Sequence, residues 1–72
     1  MNKINKIKIK INGKLSIIND NLSLSVFLKQ FKIPIKKVAI ELNQEIIDKN
    51  KLNKIRLRKN DKIEIVHFIG GG

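Results

Sequence analysis

Cysteine is absent from the chain. Disulfides, thiolate metal sites and a thiol nucleophile are thereby excluded, and a reducing compartment fits. Tryptophan and tyrosine are also absent, so the aromatic platforms on which single-stranded nucleic acids stack are largely missing. One histidine, His67, is too few for a histidine-based metal site, and no metal is expected. Acidic residues are scarce: 6 against 16 basic ones, for a formal charge of +10. Lysine supplies 14 of the basic residues and arginine only Arg56 and Arg58, whereas base readout favours arginine forks. Specific nucleic-acid binding is therefore disfavoured, and lysine is read as filling solvated positions in a chain rich in Ile, Lys and Asn. No run approaches the ~20 apolar residues of a membrane span. The basic start, Met1 to Lys6, is followed by Lys8 and Lys10 instead of an apolar signal core. An unexported chain that does not enter a membrane is expected.

What is present is patterned. With only 72 residues the core is thin, and regular secondary structure must hold it. Ile7, Ile9 and Ile11 alternate with Lys6, Lys8 and Lys10, the period of a half-buried strand. Asn12-Gly13 follows, a strong hairpin signal because both positions tolerate positive φ, and Leu15 and Ile17 continue the alternation. Residues 6–18 thus form a β-hairpin. Asn19-Asp20-Asn21 is a turn, Ser23 caps a helix, and Leu24, Phe27, Leu28 and Phe31 make its apolar face. Pro34 ends that helix.

Val38, Ile40 and Leu42 make a third strand and Asn43-Gln44-Glu45 a tight turn, with Asn43 left-handed. Ile46-Ile47 is a short return strand. Residues 48–53 are an irregular connection with a helical turn near Leu52, and Ile55 to Leu57 a short extended piece. Lys59-Asn60-Asp61 turns the chain into a last strand through Ile63 and Ile65 toward Phe68. One helix on one mixed sheet of four to five strands makes a two-layer α+β domain.

The last residues are Val66-His67-Phe68-Ile69-Gly70-Gly71-Gly72. Three residues without side chains and a carboxylate follow an apolar strand. Terminal glycines also occur on frayed ends, so their meaning depends on the rest of the chain. That rest resembles a known family. Val38-Ala39-Ile40-Glu41-Leu42-Asn43 with Glu45-Ile46-Ile47 is similar to the central strand and turn of the thiamine-biosynthesis sulfur carriers, the ThiS family. The run from Asn60 to Gly72 is similar to their closing segment. The resemblance covers the chain from about Lys6, leaving 1–5 as a short extension. Its departures are Asn43-Gln44 where the family has Asn-Gly, Asn60-Asp61 where Gly-Asp is usual, and a more basic charge.

The resemblance implies a ubiquitin-like β-grasp domain over 1–72, with 69–72 a flexible tail and the last strand in mid-sheet beside the first. It implies that Gly72 carries an acyl-adenylate and then a thiocarboxylate, while Gly70 and Gly71 thread a narrow channel. The chain is then no enzyme but a co-substrate. A ThiF-type adenylyltransferase would use ATP and Mg²⁺ to activate it, a cysteine desulfurase or sulfur relay protein would supply sulfur, and thiazole synthase would accept it. The setting would be bacterial cytoplasm or plastid stroma. Val66, Phe68 and Ile69 are candidate partner-binding residues; Phe68 could equally close the end of the core, whereas Ile69 reads as interface ahead of core. His67 shares the parity of Ile63 and Ile65, reads as structural and is assigned no catalysis. Lys6, Lys8 and Lys10 are a solvated face or steer acidic partners. The alternatives are a carrier of another pathway, such as the small subunit of molybdopterin synthase, a ubiquitin-like modifier, or a basic nucleic-acid-binding module.

Overall fold

The structure is a computed structural model that describes residues 5–68; the expected tail, 69–72, lies outside the described residues. The hairpin forms as its turn dictates. β1 (Lys6–Ile11) and β2 (Lys14–Asn19) pair antiparallel from Ile11↔Lys14 to Lys6↔Asn19. Asn12 (φ 48°) and Gly13 (φ 83°) are both left-handed, giving the loop a twist that matches the strands. Asn5, read from sequence as part of an extension, already belongs to the pairing, its carbonyl accepting from the Asp20 N–H at 2.8 Å.

The two-residue loop also decides which face each β2 residue takes. Leu15 lies opposite Lys10 and Ile17 opposite Lys8, so both share the lysine face and are 63% and 60% exposed. Ile18, opposite Ile7, is the buried residue of β2.

Helix α1 (Leu24–Gln30) begins where Ser23 Oγ accepts from the Val26 N–H at 3.1 Å. Leu24, Phe27 and Leu28 are fully buried. Phe31, expected on the same buried face, is instead 45% exposed, because it sits at the helix C-cap, where its ring packs on Phe27 (centroids 4.6 Å apart) at the edge of the core. The helix stops before Pro34 acts. Lys32 turns left-handed (φ 55°), its N–H bonding the Lys29 carbonyl at 3.1 Å while the Ile33 N–H bonds that of Leu28 at 2.9 Å. This is a Schellman ending with lysine where glycine is usual. A side chain in that region costs about 1–2 kcal/mol, against the ~0.5–1 kcal/mol of chain entropy that glycine loses. Lys32→Gly is therefore expected to raise unfolding stability by about 0.5–1 kcal/mol in urea titration; a lowered midpoint would contradict the strain.

β3 (Val38–Leu42), β4 (Glu45–Ile46) and β5 (Lys62–His67) complete a sheet ordered β2-β1-β5-β3-β4. β5 is central, parallel to β1 and antiparallel to β3, as expected of the last strand. At the middle turn both Asn43 (φ 52°) and Gln44 (φ 73°) are left-handed, so this loop repeats the geometry of the first without a glycine. β4 starts one residue earlier than the sequence suggests. A 3-10 turn at Lys49–Lys54, capped by Asp48, buries Leu52, and Arg56 makes an isolated bridge with Ser23. Leu52 and Leu57 join Ile9, Val38, Ile40, Ile63 and the helix in one apolar cluster between the layers.

Candidate functional site

β1 and β5 overlap only at Lys10↔Lys62 and Ile11↔Ile63. β5 therefore runs on past the point where β1 turns away, and its later residues would lack a neighbour on that side. Asn12 fills the gap. Its N–H donates to the Ile63 carbonyl at 2.8 Å, and its side chain continues the ladder: Oδ1 accepts from the Ile65 N–H at 2.7 Å and Nδ2 donates to the Ile65 carbonyl at 3.4 Å. A side-chain amide thus serves as one more peptide unit of β1. At the start of β5, Asn43 acts in the same way. Its N–H bonds the Lys62 carbonyl at 2.8 Å, its Oδ1 accepts from the Lys62 N–H at 2.9 Å, and its Nδ2 donates to Asp61 Oδ1 at 3.0 Å. Asp61 Oδ2 in turn accepts from the Arg58 N–H at 2.7 Å.

The last strand is thus pinned by the side chains of two loops before it leaves the sheet. Sequence reasoning took both asparagines for turn formers alone. Nothing local signals the second role, since Asn12 and Ile65 are 53 residues apart. Asn12→Ala leaves the part-buried Ile65 N–H unpaired and puts a Cβ residue without local support in the left-handed region. A loss of about 2–3 kcal/mol is expected by chemical denaturation. Asn12→Gly keeps the turn and removes only the bracing bonds, so about half of that loss should remain. If Asn12→Gly matches the parent, the bracing has no energetic weight.

From this base β5 carries the candidate residues outward. Val66 is 54% exposed opposite the small Ala39, and Phe68 is 57% exposed. Of the two positions left open for Phe68, the structure places it at the surface. Its N–H bonds the Lys37 carbonyl at 2.9 Å, and Lys49 Nζ lies 5.2 Å from its ring centroid. That cation–π contact orients the ring without covering it. His67, expected on the inner face, is exposed. It pairs with Val38, the first residue of β3, so it sits where the two layers end. Ile69, Gly70, Gly71 and Gly72 lie outside the described residues. Among the described residues no three His, Cys, Asp or Glu side chains gather in a way that could hold a metal. A cavity of about 380 Å³ is lined by Ile11, Asn12, Lys14, Leu15, Ser16 and Phe31, and by none of Val66, His67 and Phe68. The candidate site is a braced strand end bearing exposed apolar groups, not a cleft.

Known proteins are similar to this chain over nearly its whole length. The model of the ThiS family matches residues 3–72. The chain belongs to the ThiS family. The sulfur carrier protein ThiS of Bacillus subtilis is 37% identical over 65 residues, which cover 89% of this chain and 98% of that one. The crystal structure of the thiamine biosynthesis protein ThiS from Geobacter metallireducens superposes with a TM-score of 0.82 at 26% identity, covering 92% of this chain and 100% of that chain. The five-stranded mixed sheet with its one main helix is thus the ubiquitin-like β-grasp of ThiS. A thiazole synthase of Paramagnetospirillum magneticum is 35% identical over 65 residues; these are 90% of this chain, which spans only 20% of that protein's length. Among the described residues no helix is long and apolar enough to cross a membrane.

Proposed function

We propose that this ThiS-family chain carries sulfur for thiamine biosynthesis, and that the carboxyl group of Gly72 is where the sulfur rides. The observation that carries the reading is the family match over residues 3–72, which includes the glycines beyond the braced end of β5. A carboxylate is a poor acyl donor, because its leaving group would be oxide or hydroxide. Attack of that carboxylate on the α-phosphate of ATP releases pyrophosphate and gives an acyl-adenylate. A sulfur nucleophile then adds to the acyl carbon and expels AMP. Hydrosulfide leaves the thiocarboxylate directly, whereas a persulfide leaves an acyl disulfide, whose S–S bond a partner's thiol cleaves to release the thiocarboxylate and end as a disulfide itself. The chain contributes a rigid body, an arm and an unhindered carbonyl. Every thiol in the sequence must come from partners, since the chain has none.

The activating partner in this reading is a ThiF-type adenylyltransferase that brings ATP and Mg²⁺, and the sulfur comes from a cysteine desulfurase or a relay protein. Thiazole synthase is the acceptor. The similarity of this chain to a fifth of a protein named thiazole synthase supports that pairing, because one polypeptide there holds a carrier-like stretch. It also favours thiazole formation over the molybdopterin and protein-modifier alternatives. Bacterial cytoplasm or plastid stroma remains the proposed setting.

Val66 and Phe68, with Ile69, form the proposed apolar anchor for these partners. Exposed aromatic anchors of this kind dominate docking energetics. Phe68→Ala is expected to raise KM for the carrier in the activation reaction about tenfold while kcat and the melting temperature stay near the parent values. An unchanged KM would remove Phe68 from the interface.

The pathway is tested in bacteria that lack their own ThiS. The intact chain should restore growth without thiamine, and deletion of Gly71 and Gly72 should abolish it. Growth on the shortened chain would overturn the proposal.

A further inference from the structure

We propose that the free edge of β2 is a second docking site, which takes an extended segment of a partner protein with alternating apolar and acidic side chains and adds it to the sheet as a further strand. The register of the hairpin determines what this edge offers. A two-residue loop makes its closing pair, Ile11↔Lys14, a hydrogen-bonded one, and such pairs alternate along an antiparallel ladder. Ile9↔Ser16 and Ile7↔Ile18 are therefore also bonded, and the Asp20 N–H to Asn5 carbonyl bond at 2.8 Å continues the same parity. The N–H and C=O groups of Leu15, Ile17 and Asn19 consequently point away from β1, off the side of the sheet.

Among the described residues the sheet has two outer strands, β2 and β4. β4 has only two residues, whereas β2 has six, with no proline and Lys14 as its one charge. Long outer strands are normally blunted by prolines, bulges or inward charges, and one left open is a template for pairing. Added strands gain affinity from main-chain bonds and specificity from pockets for alternate side chains. β2 has a recess on each face. Toward the helix lies the cavity of about 380 Å³, bounded by Ile11, Ser16 and Phe31. On the opposite face, where Leu15 and Ile17 are exposed, a cavity of about 210 Å³ is lined by Lys8, Lys10, Leu15 and Lys62 among others.

Charge decides the occupant. Among the described residues three lysines and no carboxylate line the second recess, Lys14 borders the first, and the whole chain is +10. A second copy pairing β2 with β2 would bring two such bodies together with their lysine faces aligned. An acidic partner segment is attracted by the same field. The β2 edge is two strands away from β5, and the one β5 residue lining its recesses is Lys62, at the opposite end of the strand from Val66 and Phe68, so the site does not depend on the sulfur-carrier reading.

The test uses the full ¹⁵N-labelled chain and a synthetic peptide of alternating valine and glutamate, followed by NMR and amide hydrogen exchange. The amides of Leu15, Ile17 and Asn19 should shift and become protected, and the same peptide with lysine for glutamate should bind at least about tenfold more weakly. N-methylating alternate peptide bonds should weaken binding about tenfold, the effect of losing one or two main-chain bonds. That comparison leaves the protein untouched. Ile17→Pro should give a similar loss, since it removes an N–H that β1 does not use. Deletion of Gly71 and Gly72 should leave peptide binding unchanged, which separates this site from the tail. Equal binding of the N-methylated peptide, shifts centred on Val66 and Phe68, or self-association through β2 without peptide binding would each overturn the proposal.

Discussion

Gly71→Val is expected to leave the fold intact and to slow ATP-dependent activation of the carrier by at least about a hundredfold. The described last strand ends at His67, four residues before position 71, so every described sheet residue is kept. In the proposed mechanism its effect would fall on passage through a partner's channel that admits residues without side chains. Valine adds a branched Cβ and confines φ and ψ, so the carboxylate arrives displaced from the α-phosphate of ATP. A misplacement of about 1 Å at a reacting centre is worth roughly a hundredfold in rate. Gly71→Ala, with one methyl group, should lie between the two. Pyrophosphate release with the ThiF-type partner measures all three. Normal activation of Gly71→Val, with its circular dichroism unchanged, would show that the tail is not threaded.

The second large effect is on stability. Phe27→Ala is expected to unfold most of the chain near physiological temperature. Phe27 is fully buried on α1, among the apolar side chains that join the helix to the sheet. Removing a buried phenylalanine costs about 3–5 kcal/mol. A chain of this length is stabilised by only roughly 4–11 kcal/mol in total, and it has no disulfide to limit the unfolded state. Each kcal/mol moves the melting temperature by about 4–8 °C at this size, so a fall of roughly 15–30 °C is expected in a thermal melt. Phe31→Ala is the internal control. It removes a half-exposed ring outside the core and should cost only about 1 kcal/mol. Equal losses for the two variants would mean that the layers are not joined where the structure places them.

These contrasts show which parts of the protein are readable from its sequence. Features encoded by neighbouring residues are legible. Asn12-Gly13 specifies the hairpin, Ser23 the start of the helix, and the isoleucine alternation β1 and β5. Parity across a loop is harder, because it depends on loop length. A two-residue loop puts Leu15 and Ile17 on the lysine face, where hydrophobicity alone suggests the core. Pro34 suggests the end of α1, yet Lys32 supplies it by taking a conformation that lysine seldom adopts. His67 keeps the parity of buried residues but emerges where β3 begins, a boundary set by strand lengths. The bracing of β5 by Asn12 and Asn43 is least legible, since it joins side chains to backbone across the whole topology. At the candidate site, sequence identified Val66 and Phe68 as candidates and left the surroundings of Phe68 open. Its contact with Lys49 depends on how the 3-10 turn packs.

The central claim concerns a covalent state of Gly72, and intact-mass spectrometry reads it directly. With ATP, the cognate ThiF-type enzyme, a persulfide sulfur source and a thiol reductant to cleave the acyl disulfide, the chain should gain the mass of AMP and then, after AMP leaves, the mass difference of sulfur replacing one oxygen. Fragmentation should place both changes on Gly72. An unchanged mass, with the same enzyme shown to be active on another ThiS, would contradict the account.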